Sequence, residues 1–238
     1  MNNSIDNNDK ILAENQQKVL LARVDGKYAL DEFLNLIGYE KGFLFTVAEL
    51  LLRPSKLIHH YLNTNRNACT KPVTFLILCS VVYSLITSSL KVDVFTEEQL
   101  NQQYRISGVS NVMLWVQDNY GYANILMLVF IAIWTKILFK KQSYNIYEIG
   151  VLLCFVIGEC MLLFTIHPLF TKFVTNTIFD TILYGGILIY IAWSIGQFFG
   201  GGFKNYFKAI IAYLFGFLTF EIIAIIVGLA IDAMAKKL

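Results

Sequence analysis

The chain has 238 residues, of which 56% are hydrophobic and 15% charged, with a net charge of +2. Soluble domains carry about 25% charged residues, so the deficit points to lipid as the solvent, and the mean hydropathy of +0.57 agrees. The small net charge, with no long Lys/Arg tract and no aromatic-plus-basic surface motif, argues against nucleic acid as a partner. No apolar core followed by a small-residue cleavage site occupies the first thirty residues, so a removable signal peptide is not expected.

Residues 1–41 read as a polar N-terminal arm. It opens on N-N-S-I-D-N-N-D, a composition typical of disorder. Leu30, Phe33, Leu34 and Ile37 then recur at helical spacing before Gly38, which predicts a short amphipathic helix.

Residues 42–71 read as amphipathic interfacial helices. Glu49, Arg53, Lys56, His60 and Asn63 form one polar stripe, and Leu44, Val47, Leu51, Ile58 and Leu62 lie on the other side. Pro54 either breaks the run or opens a second helix at its first position. Arg53, Lys56, Arg66 and Lys71 are candidate contacts for anionic headgroups or for a protein partner of the arm. The plainer reading is a helix docked on its own soluble arm or on the spans. His59-His60 is a poor chelate, because adjacent rings on a helix point about 100° apart.

Five apolar runs follow, at 72–90, 122–139, 149–170, 177–197 and 207–230. Each nears or exceeds the roughly 20 residues that cross a bilayer core. Only a helix satisfies its own backbone within a single span, so the runs are expected to be helical. The fold class is therefore all-α: five transmembrane helices after a cytoplasmic arm. Arg53, Lys56, Arg66, Lys71, Lys140, Lys141, Lys204 and Lys208 flank one side, against Lys91, Arg105, Lys172, Lys236 and Lys237 on the other. That bias places the N-terminus in the cytoplasm.

The stretch 91–121 is the one long outer loop, in which Val112, Trp115 and Val116 return towards the interface. Gly200-Gly201-Gly202 makes a flexible corner before the last run.

The segment F-T-V-A-E-L-L-L-R-P-S-K-L-I-H-H-Y-L resembles an uncharacterised bacterial membrane family, domain of unknown function 3667. That family's pattern is T-x-x-x-L-x-x-R-P-G-x-x-I-x-x-Y-[IL]-x-G-x-R before a proline-started span. Thr46, Leu50, Arg53, Pro54, Ile58, Tyr61, Leu62 and Arg66 match it, and Pro72 starts the span. Ser55 replaces the usual glycine, and Asn63-Thr64-Asn65 replaces the glycine-containing turn. The cysteine pair found near the N-terminus of many members is absent, so no metal site carries over. A looser similarity is to Yip1-type proteins, which have a cytosolic arm and five spans. The resemblance implies a bacterial inner-membrane location and brings no catalytic residues.

Glu159 and Glu221 lie near the middles of the third and fifth runs. A charged side chain at the bilayer centre costs about 2.5–3.5 kcal/mol on insertion scales, so such acids face the bundle interior, are protonated or line water. Together they form a candidate intramembrane polar site for a proton or cation. The alternative is two packing residues that fix helix register. Lys136 sits one turn inside its run, positioned to snorkel or to pair with an acid. His167-Pro168 and Asp180 make either an outer polar cluster or a plain helix end. Cys69, Cys79, Cys154 and Cys160 have no paired spacing and read as packing residues.

No hydrolase, zinc-protease or nucleotide-binding string occurs, so no catalytic residue, cofactor or metal site is expected. The favoured reading is a non-enzymatic membrane organiser or accessory subunit. The alternative is a small channel, pore-forming effector or proton- or cation-coupled transporter, for which a homo-oligomer is one expected form.

Overall fold

A computed structural model describes residues 42–90, 107–170 and 177–235. The N-terminal arm with its expected helix at 30–37, and Lys91, Arg105, Lys172, Lys236 and Lys237, lie outside the described residues. What is described is helical, with no strand. The helices are α1 (Phe43–Leu52), α2 (Pro54–Asn63), α3 (Pro72–Leu90), α4 (Ser107–Asp118) and α5 (Tyr120–Leu138). They continue as α6 (Ile146–Phe164), α7 (Ile166–Phe170), α8 (Thr177–Phe198) and α9 (Phe203–Ala235). Five segments are long and apolar enough to cross a membrane: α3, α5, α6 running into α7, α8 and α9. This is a multi-pass membrane protein.

The bundle is built around α6, which packs against α1, α2, α3, α5, α7 and α8. Its side chains Leu152, Leu153, Phe155, Val156 and Met161 are fully buried. The helix starts three residues before the apolar run, at an Asn145–Glu148 capping box. Asn145 Oδ1 accepts from the Glu148 N–H at 2.9 Å, and Glu148 Oε2 accepts from the Asn145 N–H at 2.7 Å. Two backbone donors that would otherwise be unpaired are satisfied reciprocally.

The last helix, α9, runs 33 residues, about 50 Å at 1.5 Å per residue. It packs along α4, α5 and α8 through a seam of small residues: Ala209, Ala212, Gly216, Ala224 and Gly228. A Cβ at Gly216 would lie 2.6 Å from the Ile131 Cα, and one at Gly228 would lie 2.6 Å from the Val109 Cα. Small residues of this kind let membrane helices approach closely.

Two expectations change. The stretch before α5 is not a simple loop, because α4 is helical and its Val109 and Met113 are buried with Ala224 of α9. The glycine corner is a built turn, with Gly200, Gly201 and Gly202 at φ of 97°, 69° and 82°. Asn205 Nδ2 donates across it to the Phe199 and Gly201 carbonyls at 2.8 and 2.9 Å. Side chains other than glycine resist three such backbone angles in succession.

Parallel helices α3 and α6 meet where Gly158 faces Phe75 and Leu76. Counting 1.5 Å per residue back from that contact, α3 begins about 13 Å further into the bundle than α6 does. The space below the start of α3 is filled by α1 and α2. Lys136, Lys140, Lys141, Lys204 and Lys208 cluster at this same end, here called the basic end.

Candidate functional site: the helical hairpin at the basic end

The corner between α1 and α2 is set by the Arg53-Pro54 step. Arg53 leaves helical geometry at φ −149° and ψ 55°, its N–H still bonds to the Glu49 carbonyl at 2.7 Å, and Pro54 opens α2. Proline at the first helical position loses nothing, because its missing N–H would have had no partner there.

The hairpin is bonded into the bundle on three sides. Thr46 Oγ1 donates to the Gly42 carbonyl at 2.9 Å and accepts from the Thr70 N–H at 3.0 Å, which ties α1 to the lead-in of α3. The Tyr190 hydroxyl of α8 donates to the Leu50 carbonyl at 3.2 Å. Ser55 Oγ donates to the Gln197 carbonyl at 3.3 Å. Leu50 and Ile58 are fully buried, and Tyr61 meets Phe155 of α6 edge-on at 5.6 Å.

His59 completes the docking. Its ring stacks on Phe198 at 4.5 Å, and Nε2 lies 3.1 Å from the Phe198 carbonyl. A carbonyl can only accept, so Nε2 carries the proton, and Nδ1 accepts from the Tyr144 hydroxyl at 3.4 Å. His60 is exposed, so the two rings diverge as their adjacency predicts. Burial raises the Tyr61 phenol above its ordinary range, the neighbouring Cys69 adds to it, and the Arg66 guanidinium pulls the other way. Burial also pushes the Cys69 thiol up to about 12, which keeps it protonated and unreactive.

These contacts account for Thr46, Leu50, Pro54, Ile58 and Tyr61 of the motif. Arg53 and Arg66 have no such role. With Lys56 and Lys71 they are exposed, and no ion pair holds any of the four among the described residues. Leu44, Leu51 and Leu52 of α1 are also exposed, Leu52 by 68%. The exposed surface of the hairpin and of the link to α3 thus includes apolar side chains and cations that have no ion pair among the described residues.

The sequence-predicted acids part company. Glu159 is 1% exposed on α6, and its Oε2 has no hydrogen-bond partner among the described residues. Glu221 is half-buried on α9, beside the small-residue seam. Helices α5 and α8 each pack against both α6 and α9 and stand between them. Lys136 pairs with neither acid, because its Nζ donates to the Tyr144 carbonyl. At the end opposite the hairpin His167 Nε2 lies 3.1 Å from Asp180 Oδ1, so the two side chains meet.

Residues 40–84 match a family model described as "Protein of unknown function (DUF3667)". The matched stretch covers the hairpin, its Thr46–Thr70 tie and most of α3. No curated protein and no solved structure matches the chain. The expected similarity to Yip1-type proteins is not shown by these comparisons.

Proposed function

We propose that this protein is a non-enzymatic organiser or accessory subunit of a bacterial inner membrane. The hairpin α1–α2 holds anionic lipid headgroups, or an acidic partner protein, at the cytoplasmic face. One observation carries the reading: Arg53 and Lys56 of the hairpin, and Arg66 and Lys71 just after it, are exposed with no ion pair among the described residues, while Leu50, Leu57 and Ile58 of the hairpin are buried in the bundle. Exposed leucines beside cations suit the boundary between acyl chains and headgroups, and each cation near an anionic surface contributes about 1 kcal/mol. Positive-inside placement supports a cytoplasmic basic end and a cytoplasmic N-terminus.

The test is native mass spectrometry on protein purified from a defined mixture of anionic and zwitterionic lipids. Neutralising all four cations to glutamine is expected to lower retention of anionic lipid at least tenfold in relative terms. Unchanged retention by a folded variant contradicts the reading.

A second reading, a small channel or proton- or cation-coupled transporter, is favoured by the unpartnered carboxyl oxygen of Glu159 in the core. It predicts ion flux in proteoliposomes that Glu159→Gln abolishes. No flux from the folded native protein contradicts it.

A further inference from the structure

At the end opposite the hairpin, five helices line a cavity of about 90 Å³. A single water needs only ~10–15 Å³, so the space is roomier than a hydration site. Its walls include five rings in sequence. Tyr83 lies 4.7 Å from Tyr120, Tyr120 6.3 Å from Phe164, Phe164 5.8 Å from Tyr184, and Tyr184 5.6 Å from His167. The rings are inclined to one another by 34°, 85°, 44° and 35°, so they stand as separate walls and not as a flat stack. An ordinary interfacial aromatic belt points its rings outward to the headgroups. Here Tyr83 is 7% exposed, and the rings close on a shared space.

Asp180 supplies charge at the edge of this space, through His167. Nε2 is the nitrogen that faces the carboxylate, so in the neutral ring the proton sits there. The pair then carries one net negative charge, and Nδ1 remains an acceptor. Ring faces attract cations through their quadrupole, and aromatic boxes beside a carboxylate are suited to alkylated ammonium groups.

We propose that the cavity lined by Tyr83, Tyr120, Phe164, Tyr184 and His167, with Asp180 at its edge, binds an organic ammonium group. Two sources share that chemistry: the headgroup of an amine-bearing phospholipid and a free small ammonium solute. The site lies apart from the hairpin, so the proposal stands or falls independently of the organiser reading.

The test uses the full chain and two probes. Tetramethylammonium chloride is titrated against purified protein by calorimetry, with sodium chloride as the control. In parallel, nanodiscs of choline-headgroup or ethanolamine-headgroup lipid are compared with glycerol-headgroup lipid, and co-purifying lipid is read by native mass spectrometry. Saturable binding in the first arm identifies a free solute, and selective retention in the second identifies a headgroup. Tyr184 and Asp180 are substantially exposed, at 39% and 41%, so changes there leave the packing in place. Asp180→Asn and Tyr184→Leu are each expected to weaken binding about tenfold, whereas Tyr184→Phe keeps the ring face and keeps binding. Unchanged thermal unfolding of the variants confirms that they are folded. The proposal is overturned if neither probe binds, or if binding is unaffected by Asp180→Asn and Tyr184→Leu.

Discussion

Helices α6 and α9 look alike as sequence. Each is a long apolar run with one glutamate near its middle, and they share a mean hydropathy of 2.5 over their most apolar window. Their surroundings are opposite: about two thirds of that window is buried in α6, at 67%, and 17% in α9. The first is the axis on which α1, α2, α3, α5, α7 and α8 pack, whereas the second packs along α4, α5 and α8 and leaves most of its surface facing outward. Lipid tails are as apolar as leucine, so hydropathy records membrane residence and does not record which neighbour a face meets. An intramembrane acid inherits that ambiguity. Glu159 and Glu221 carry equal weight in the sequence, and only the first is enclosed.

Three substitution pairs would break or sharpen this contrast. The largest difference is expected between Phe155→Ala on α6 and Phe217→Ala on α9. Phe155 is fully buried, and its loss is expected to cost about 3–5 kcal/mol. Phe217 is 38% exposed, and its loss is expected to cost under about 1 kcal/mol. Denaturation in detergent reads both, and equal losses would remove the distinction between axis and periphery.

Next comes the seam. Gly228→Val drives a side chain into the Val109 backbone and is expected to cost about 1–3 kcal/mol by overpacking. Gly150→Ala, where a Cβ meets nothing within 4 Å, is expected to be neutral or slightly stabilising. Proteolysis near α4 would report the first change as a detached α4, and resistance equal to the native chain would contradict the packing of α4 on α9.

The smallest effect concerns the acids. Glu159→Leu exchanges a buried carboxyl with an unpartnered oxygen for an apolar side chain, and is expected to raise stability by about 1 kcal/mol. Glu221→Leu, half-buried at the edge of the seam, is expected to change it by under about 0.5 kcal/mol. A destabilisation by Glu159→Leu would show that the carboxyl has a partner in the membrane.

Much of the architecture was legible in the residues. The Arg53-Pro54 corner follows from proline chemistry, and the five spans follow from apolar length. Other features were present as signals but weaker. Asn145 and Glu148 have the spacing of a capping box, which puts the start of α6 ahead of its apolar run. Val109 and Met113 are four residues apart, which already marks a helical face in α4. The depth of the hairpin was not legible, because it depends on where α3 meets α6 at Gly158, a contact between segments some eighty residues apart. The aromatic cavity was hidden for the same reason. Its rings come from α3, α5, α6, α7 and α8, and sequence showed only His167 and Asp180 as a pair to be weighed.

The most direct measurement compares two sets of cations at the same end of the bundle. In one variant Arg53, Lys56 and Arg66 of the hairpin become glutamine; in the other, the exposed Lys140, Lys141 and Lys204 do. Both lose three positive charges, so a general surface field would weaken anionic-lipid retention equally. Native mass spectrometry of the two folded variants is expected to show retention lost in the first and largely kept in the second. Equal loss, or loss in the second alone, would contradict a headgroup-binding role for the hairpin.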